Sequence, residues 1–257
     1  MSRPGATGLG PLADELHARD PERLLTVLFA APEHRADLIA LYHFNSEVAR
    51  VRQMVSEPMI GEIRLQWWRE ALDEIYGGGP VRAHPTVEAL RDTVRSRDLP
   101  RGPFDALLDA RSLDLYDEPF EDVEAYIAAT SAGLMTLAAQ ICGGGEAGDL
   151  GQIAGRIALL AAVPRLRAQG PYPWAAITGD KDALDGFVRT ELDQAVRALS
   201  GTRLPKGGRA AYLPAALIRA DAKRLLKTKG SLADPRPETP SFKLQLTLLR
   251  ANLTGRV

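Results

Sequence analysis

Apolar residues recur at steps of three and four through most of the chain, the spacing of a buried helix face. The densest run is LYHFNSEVARVRQMVSEPMIGEIRLQWWREALDEIYGGG, from Leu41 to Gly79. Leu41, Phe44, Val48, Val51 and Val55 predict one amphipathic helix. Ile60, Ile63, Trp67, Trp68, Ala71 and Ile75 predict a second. Pro58 suits a first helical position with Ser56 as its cap, and Gly77, Gly78 and Gly79 stop the second helix.

The same spacing organises the rest. A short helix is expected over Pro21 to Ala30, and one capped by Thr86 that carries Val87, Leu90 and Val94. Phe104, Leu107, Leu108 and Leu115 mark the next, ending near Pro119. Val123, Tyr126, Thr130, Leu134, Leu137 and Ile141 mark a long helix whose middle (Ala128, Ala129, Ser131, Ala132, Gly133) is narrow enough for another helix to approach closely. Gly151 to Val163 reads as a helix closed by Pro164, and QGPYPW (Gln169 to Trp174) as a loop. Helices over Asp182 to Leu199, Ala210 to Lys229 and Ser241 to Leu253 follow, with a linker from Gly230 to Pro240. No alternating β-branched stretch is bounded by turn pairs, so no strand is predicted. The expectation is an all-α, single-domain chain over residues 1–257, with eight to ten helices and a mobile tail over 1–12.

Composition narrows the function classes. A net charge of −1 gives no global electrostatic case for nucleic acid. The single cysteine, Cys142, excludes a disulfide framework within the chain. No run reaches the ~20 apolar residues of a membrane span, and the first residues lack the pattern of a secretory signal. The expectation is a cytoplasmic protein, with a place on the periphery of the inner membrane left open. His17, His34, His43 and His84 show no metal-ligand spacing.

Tyr42-His43-Phe44, followed by Arg64, Trp67, Trp68 and Arg69, resembles the opening of the squalene/phytoene synthase family. EAYIAATSAGLMTLAAQICG resembles the helix ahead of that family's second motif, and Asp109, Arg111 and Asp114 resemble an Asp-Ala-Arg-x-x-Asp text. The resemblance covers the chain from about Asp20 onward. It implies an isoprenoid-synthase-type helical bundle around a central cavity. It also implies prenyl diphosphate chemistry, in which magnesium held by two aspartate-rich motifs meets the charge of the leaving diphosphate. Both motifs are missing. Ala49, Arg50, Val51, Arg52 and Gln53 stand at the first, and no acid occurs between Gln152 and Thr178, where the second belongs.

One branch of the family shares this loss, the branch of the mitochondrial complex I assembly factor of phytoene-synthase-like sequence. Phe44, Asn45 and Glu47, then Val55, Ser56, Glu57, Ile60 and Gly61, then Arg64, Gln66 and Trp68 are similar to its wording. The resemblance therefore implies a non-catalytic binding or assembly-type factor with no catalytic residue, metal or cofactor, and with complex I subunits or a membrane surface as partners. The alternatives are an active prenyltransferase, which would need Mg2+, and a prenyl-lipid binder. Tyr42, Asn45, Arg64, Trp68, Asp109 and Arg111 are the candidate residues for a prenyl lipid or diphosphate ligand. Arg219, Lys223 and Lys227, four apart, form a candidate stripe toward a partner or membrane. Asp105 with Asp109, and Glu70 with Glu74, read as ion-paired faces rather than replacement metal clamps. If the cavity persists, Ala49 and Gln53 should face the helix that carries Ala161 and Arg165.

Overall fold

The computed structural model describes residues 8–116, 118, 120–167, 181–228, 232 and 239–257, with the backbone alone at 164–167 and 181–182. Thirteen α-helices occur among the described residues: α1 (Pro11–Arg19), α2 (Pro21–Val27), α3 (Pro32–Ala49), α4 (Val51–Met54), α5 (Pro58–Tyr76), α6 (Pro85–Arg97), α7 (Gly102–Leu113), α8 (Val123–Ile127), α9 (Gly133–Ile141), α10 (Gly148–Arg167), α11 (Lys181–Leu199), α12 (Pro214–Leu226) and α13 (Ser241–Thr254). A π-helical turn, Ala128–Ala132, joins α8 to α9, and a 3-10 turn, Arg209–Tyr212, precedes α12. The described residues form no strand, only an isolated bridge between Arg203 and Arg256. The loop Gln169 to Trp174 and all but Leu232, Thr239 and Pro240 of the linker lie outside the described residues.

Proline sets many of the helix starts. α1, α2, α3, α5, α6 and α12 each begin on Pro, where the missing N–H has no intrahelical partner to lose. Asp20 and Asp122 cap α2 and α8, accepting from the backbone N–H of Arg23 and Ala125 at 2.9 Å. α1 starts at Pro11, inside the stretch expected as a tail. Ser56 does not cap α5; Glu57 holds that position without a side-chain bond. Thr86 does not cap α6 either: His84 holds that position without a side-chain bond, and the Thr86 hydroxyl is buried against His43 Nδ1 at 3.0 Å.

α3 is the axis of the fold. Leu38 to Ser46 are all buried, on every face, because α1, α2, α6, α7 and α9 surround it. Phe44 meets Trp68 of α5 and Phe104 of α7 edge-to-face, with ring centroids 5.2 and 5.6 Å apart. One contiguous core runs from Ala13 to Ala251. The stripe expected to continue from α3 through Val55 is broken at Arg50 and resumes in α4.

Small residues decide the second packing centre. At Gly155 of α10 an added Cβ would lie 2.5 Å from Ser131 Cβ and 2.6 Å from Ile127 Cγ2. α10 thus presses directly onto the π turn, the close approach that the Ala/Ser/Gly stretch predicts. Pro164 does not close this helix, which runs on to Arg167. On α5 the expected apolar stripe is only half interior. Of its members, Trp68, Ala71 and Ile75 are buried, Trp67 is half-buried, and Ile60 and Ile63 face solvent; Leu65 and Leu72, outside the expected stripe, complete the buried face.

Candidate functional site: a cavity with a basic and apolar wall

A cavity of about 600 Å3 lies between α3, α4, α7, the π turn and α10, within the range of small-molecule pockets. α3 and α4 contribute Asn45, Ala49, Arg52 and Gln53, followed by Val55. α7 and the residue after it contribute Arg111 and Asp114. Phe120, Tyr126, Ile127, Thr130 and Ser131 form one side, and Gly155, Ala158, Leu159 and Ala162 of α10 the opposite one. Arg23 closes an edge. Ala49 and Gln53 therefore face α10 across open space. The residues that meet them are Ala158, Leu159 and Ala162 rather than Ala161, and the Arg165 side chain lies outside the described residues.

Three polar residues of the wall are bound to one another. Arg111 Nη1 donates to Asp114 Oδ2 at 3.0 Å and to the Tyr126 hydroxyl at 2.8 Å. That hydroxyl donates to Asp114 Oδ1 at 2.8 Å. Burial pushes the Tyr126 phenol well above its ordinary pKa, and the nearby Arg111 charge opposes this only in part. The phenol therefore stays protonated and keeps its donor role. Phe120 stacks on Tyr126 with centroids 4.3 Å apart. Two polar atoms buried at this wall, Asn45 Oδ1 and Arg111 Nε, have no hydrogen-bond partner among the described residues. A buried acceptor and donor without partners mark a place where a ligand or water completes the bonding.

The wall does not fit a magnesium cluster. Its single carboxylate among the described residues is Asp114, and both of its oxygens are committed to Arg111 and Tyr126. Guanidinium groups of Arg23, Arg52 and Arg111 share the wall. Hard divalent cations require several oxygen ligands, and positive neighbours oppose them. Other acids are engaged elsewhere. Glu47 binds Arg19, which also reaches Glu15 at 3.0 Å and lies 3.4 Å from His43 Nε2. Glu15, His43 and Glu47 converge closely enough to suggest a metal site, but the Arg19 cation already sits among them. Asp105 pairs with Arg101 at 2.9 Å, Asp109 with Arg69 at 3.0 Å, and Glu74 and Glu70 with Arg82 at 2.8 and 3.5 Å.

The six candidate ligand residues separate in space. Asn45 and Arg111 line the cavity. Tyr42 and Trp68 are core residues: the Arg23 guanidinium carbon lies over the Tyr42 ring, 5.0 Å from the ring centroid, and Trp68 packs on Phe44, Trp67 and His84. Arg64 is exposed on α5. Asp109 stands on the solvent side of α7, over a different cleft. The sequence pattern places Gln53 on the cavity face, as found, but does not single out Thr130 or Ser131 as lining residues with polar groups. A helix read at regular pitch gives no warning of the π turn that brings Thr130 and Ser131 to the wall. On the far side of α12, Arg219 and Lys223 line a second cleft of about 660 Å3 against α13. Lys227 is not part of its lining.

Comparison with known proteins agrees with this architecture. Among solved structures, a dehydrosqualene synthase in complex with ligand superposes with a TM-score of 0.64 at 13% identity, covering 95% of this chain and 94% of the other. Squalene synthase HpnC from Alicyclobacillus acidocaldarius gives 0.59 at 16%, covering 94% and 89%. At such identities the likeness establishes the fold. In sequence, the NADH dehydrogenase (ubiquinone) complex I, assembly factor 6 of Homo sapiens is 31% identical over 210 residues, and that of Bos taurus 30% identical over 207. These alignments take in 76% and 75% of this chain but 62% and 61% of the relatives, so the chain spans about three fifths of their length. The sequence model of squalene/phytoene synthase matches residues 16–167, which contain α3, α5 and both cavity walls. With its all-α bundle, its central cavity and that match, the chain belongs to the squalene/phytoene synthase family.

Proposed function

We propose that this chain is a non-catalytic member of its family and works as an assembly-type factor for respiratory complex I. The observation that carries the reading is the cavity wall itself. Ala49 and Gln53 stand on the wall where the family resemblance places the first set of metal-holding carboxylates, and the one carboxylate among the described lining residues, Asp114, is paired with Arg111. Departure of a diphosphate concentrates negative charge, and preorganised charge stabilisation is commonly the largest catalytic contribution. Arg111 is bound to Asp114 and Arg23 to Asp20, so these cations are partly compensated before any substrate arrives. The relatives named as complex I assembly factors supply the biological direction.

The test is genetic. Deleting the gene and measuring inhibitor-sensitive NADH oxidation in membranes should give reduced complex I activity, restored by the wild-type chain. Normal activity in the deletion refutes the assembly role. A second reading has its own support. The unpartnered Asn45 Oδ1 and Arg111 Nε, beside Phe120, Ile127 and Leu159, favour a ligand with a polar head and an apolar body, such as a prenyl lipid or diphosphate, held without turnover.

A further inference from the structure

α13 presents two different edges to solvent, and it contains no acidic residue. Leu248 and Ala251 are buried, and Leu244 packs against the core. Phe242, Leu246, Leu249 and Leu253, spaced four, three and four apart, form an outward stripe; Phe242 and Leu246 are each 63% exposed and Leu253 73%. Leu25 of α2, with Leu28 and Phe29 just after that helix, extends the stripe into a shallow apolar groove of about 570 Å3. At 3.6 residues per turn, Lys243 and Arg250 stand on the edge that adjoins it.

Beyond that edge lies the cleft between α12 and α13. Arg219, Lys223, Arg250 and Arg256 line it, and no acidic side chain does so among the described residues. Burial, with the charges of Arg219, Lys227 and Arg250, holds the Lys223 ammonium below its ordinary pKa. The cations of this cleft therefore repel one another, and an entering anion relieves the repulsion. Arg219 Nε is buried without a hydrogen-bond partner among the described residues, while its Nη2 donates to Ser200.

An apolar stripe flanked by basic side chains, on a helix that itself carries no acid, is the pattern of a helix lying in a membrane interface. We propose that α13 lies in the headgroup plane of an anionic membrane, with Phe242, Leu246 and Leu253 entering the acyl boundary and Lys223 and Arg250 meeting lipid phosphates. Charge favours this face over another exposed apolar patch: Met59, Ile60 and Ile63 on α5 stand beside Glu57 and Glu62, with Arg64 as the adjoining cation, so acids there offset the basic charge that α13 carries unopposed. The proposal stands on this surface alone and is independent of the assembly role.

The test is co-sedimentation of the purified full chain with vesicles of phosphatidylcholine, and of phosphatidylcholine with phosphatidylglycerol. Binding should require phosphatidylglycerol and weaken as salt rises. A basic residue near such a surface contributes about a fivefold factor, so Lys223→Gln with Arg250→Gln should reduce partitioning roughly twenty- to thirtyfold. Leu246→Ser with Leu253→Ser, at exposed sites that leave the thermal midpoint unchanged, should reduce it on the order of tenfold. Equal binding to both vesicle types, no binding to either, or wild-type binding by either double variant overturns the proposal. So does a dimer that the leucine variant dissolves while vesicle binding stays intact, which would make a second copy of the chain the occupant of this face.

Discussion

Tyr126→Phe removes one hydroxyl from the cavity wall and breaks two of its bonds together. The hydroxyl accepts from Arg111 at 2.8 Å and donates to Asp114 at 2.8 Å. Hydrogen bonds to charged groups contribute about 1.5–3 kcal/mol each in favourable sites. Here the Arg111 and Asp114 side chains keep 16% and 20% exposure, and Arg111 still binds Asp114 at 3.0 Å, so water can replace part of the loss. The expected destabilisation is about 1–2 kcal/mol. Asp114→Ala goes further, because it leaves the guanidinium without a counter-charge in the wall. Breaking a fully buried pair costs about 3–5 kcal/mol, and the residual exposure lowers the expectation to about 2–3 kcal/mol. For a chain of this size each kcal/mol moves the thermal midpoint by about 2–4 °C. Thermal and urea unfolding of both single variants and the double variant complete the cycle. The double variant should cost less than the sum by about 1 kcal/mol, since both changes remove the same tyrosine–aspartate bond. Additive effects, or a Tyr126→Phe protein within a few tenths of a kcal/mol of wild type, would refute the network as the support of this wall.

Phe44→Ala should cost about 3–5 kcal/mol in urea unfolding, because it empties the junction of α3, α5 and α7. Gly155→Ala should destabilise by about 1–2 kcal/mol in the same assay. Its Cβ collides with Ser131 and Ile127, and this outweighs a helix-propensity gain of up to ~1 kcal/mol. Burial holds the His43 imidazole below its ordinary pKa of 6.5, against the pull of its Glu15 hydrogen bond. The unfolded chain then takes up this proton first, so stability falls as pH drops through 6.5 toward the folded value, by at most about 1.4 kcal/mol per unit. Unfolding midpoints between neutral pH and the onset of carboxylate titration should decline less steeply in His43→Gln.

The sequence already contained the helical periodicity, the close approach at Ala128 to Gly133 and the substitutions at Ala49 and Gln53, because each is a property of local spacing. What it withheld depends on neighbours distant in the chain. Ile60 and Ile63 continue the stripe of Trp68 and Ile75 without a break, yet no helix among the described residues covers them. Thr86 looks like a cap until His43, 43 residues away, supplies its partner. Asp109 and Arg111 are two residues apart on α7, so they point to different sides: Asp109 to Arg69 in solvent, Arg111 into the cavity. The π turn at Ala128–Ala132 rotates Thr130 and Ser131 to the wall by an offset that regular pitch does not contain. Pro164 marks a helix end by propensity alone, but α10 runs past it.

The most direct measurement of the central claim, a synthase cavity without its metal clamps, follows diphosphate release. Purified protein is incubated with farnesyl and geranylgeranyl diphosphates and with magnesium or manganese. With Asp114 as the one carboxylate among the wall's described residues, and bound to Arg111, release should not exceed that of heat-treated protein. Release above that control that depends on the added metal would contradict the claim.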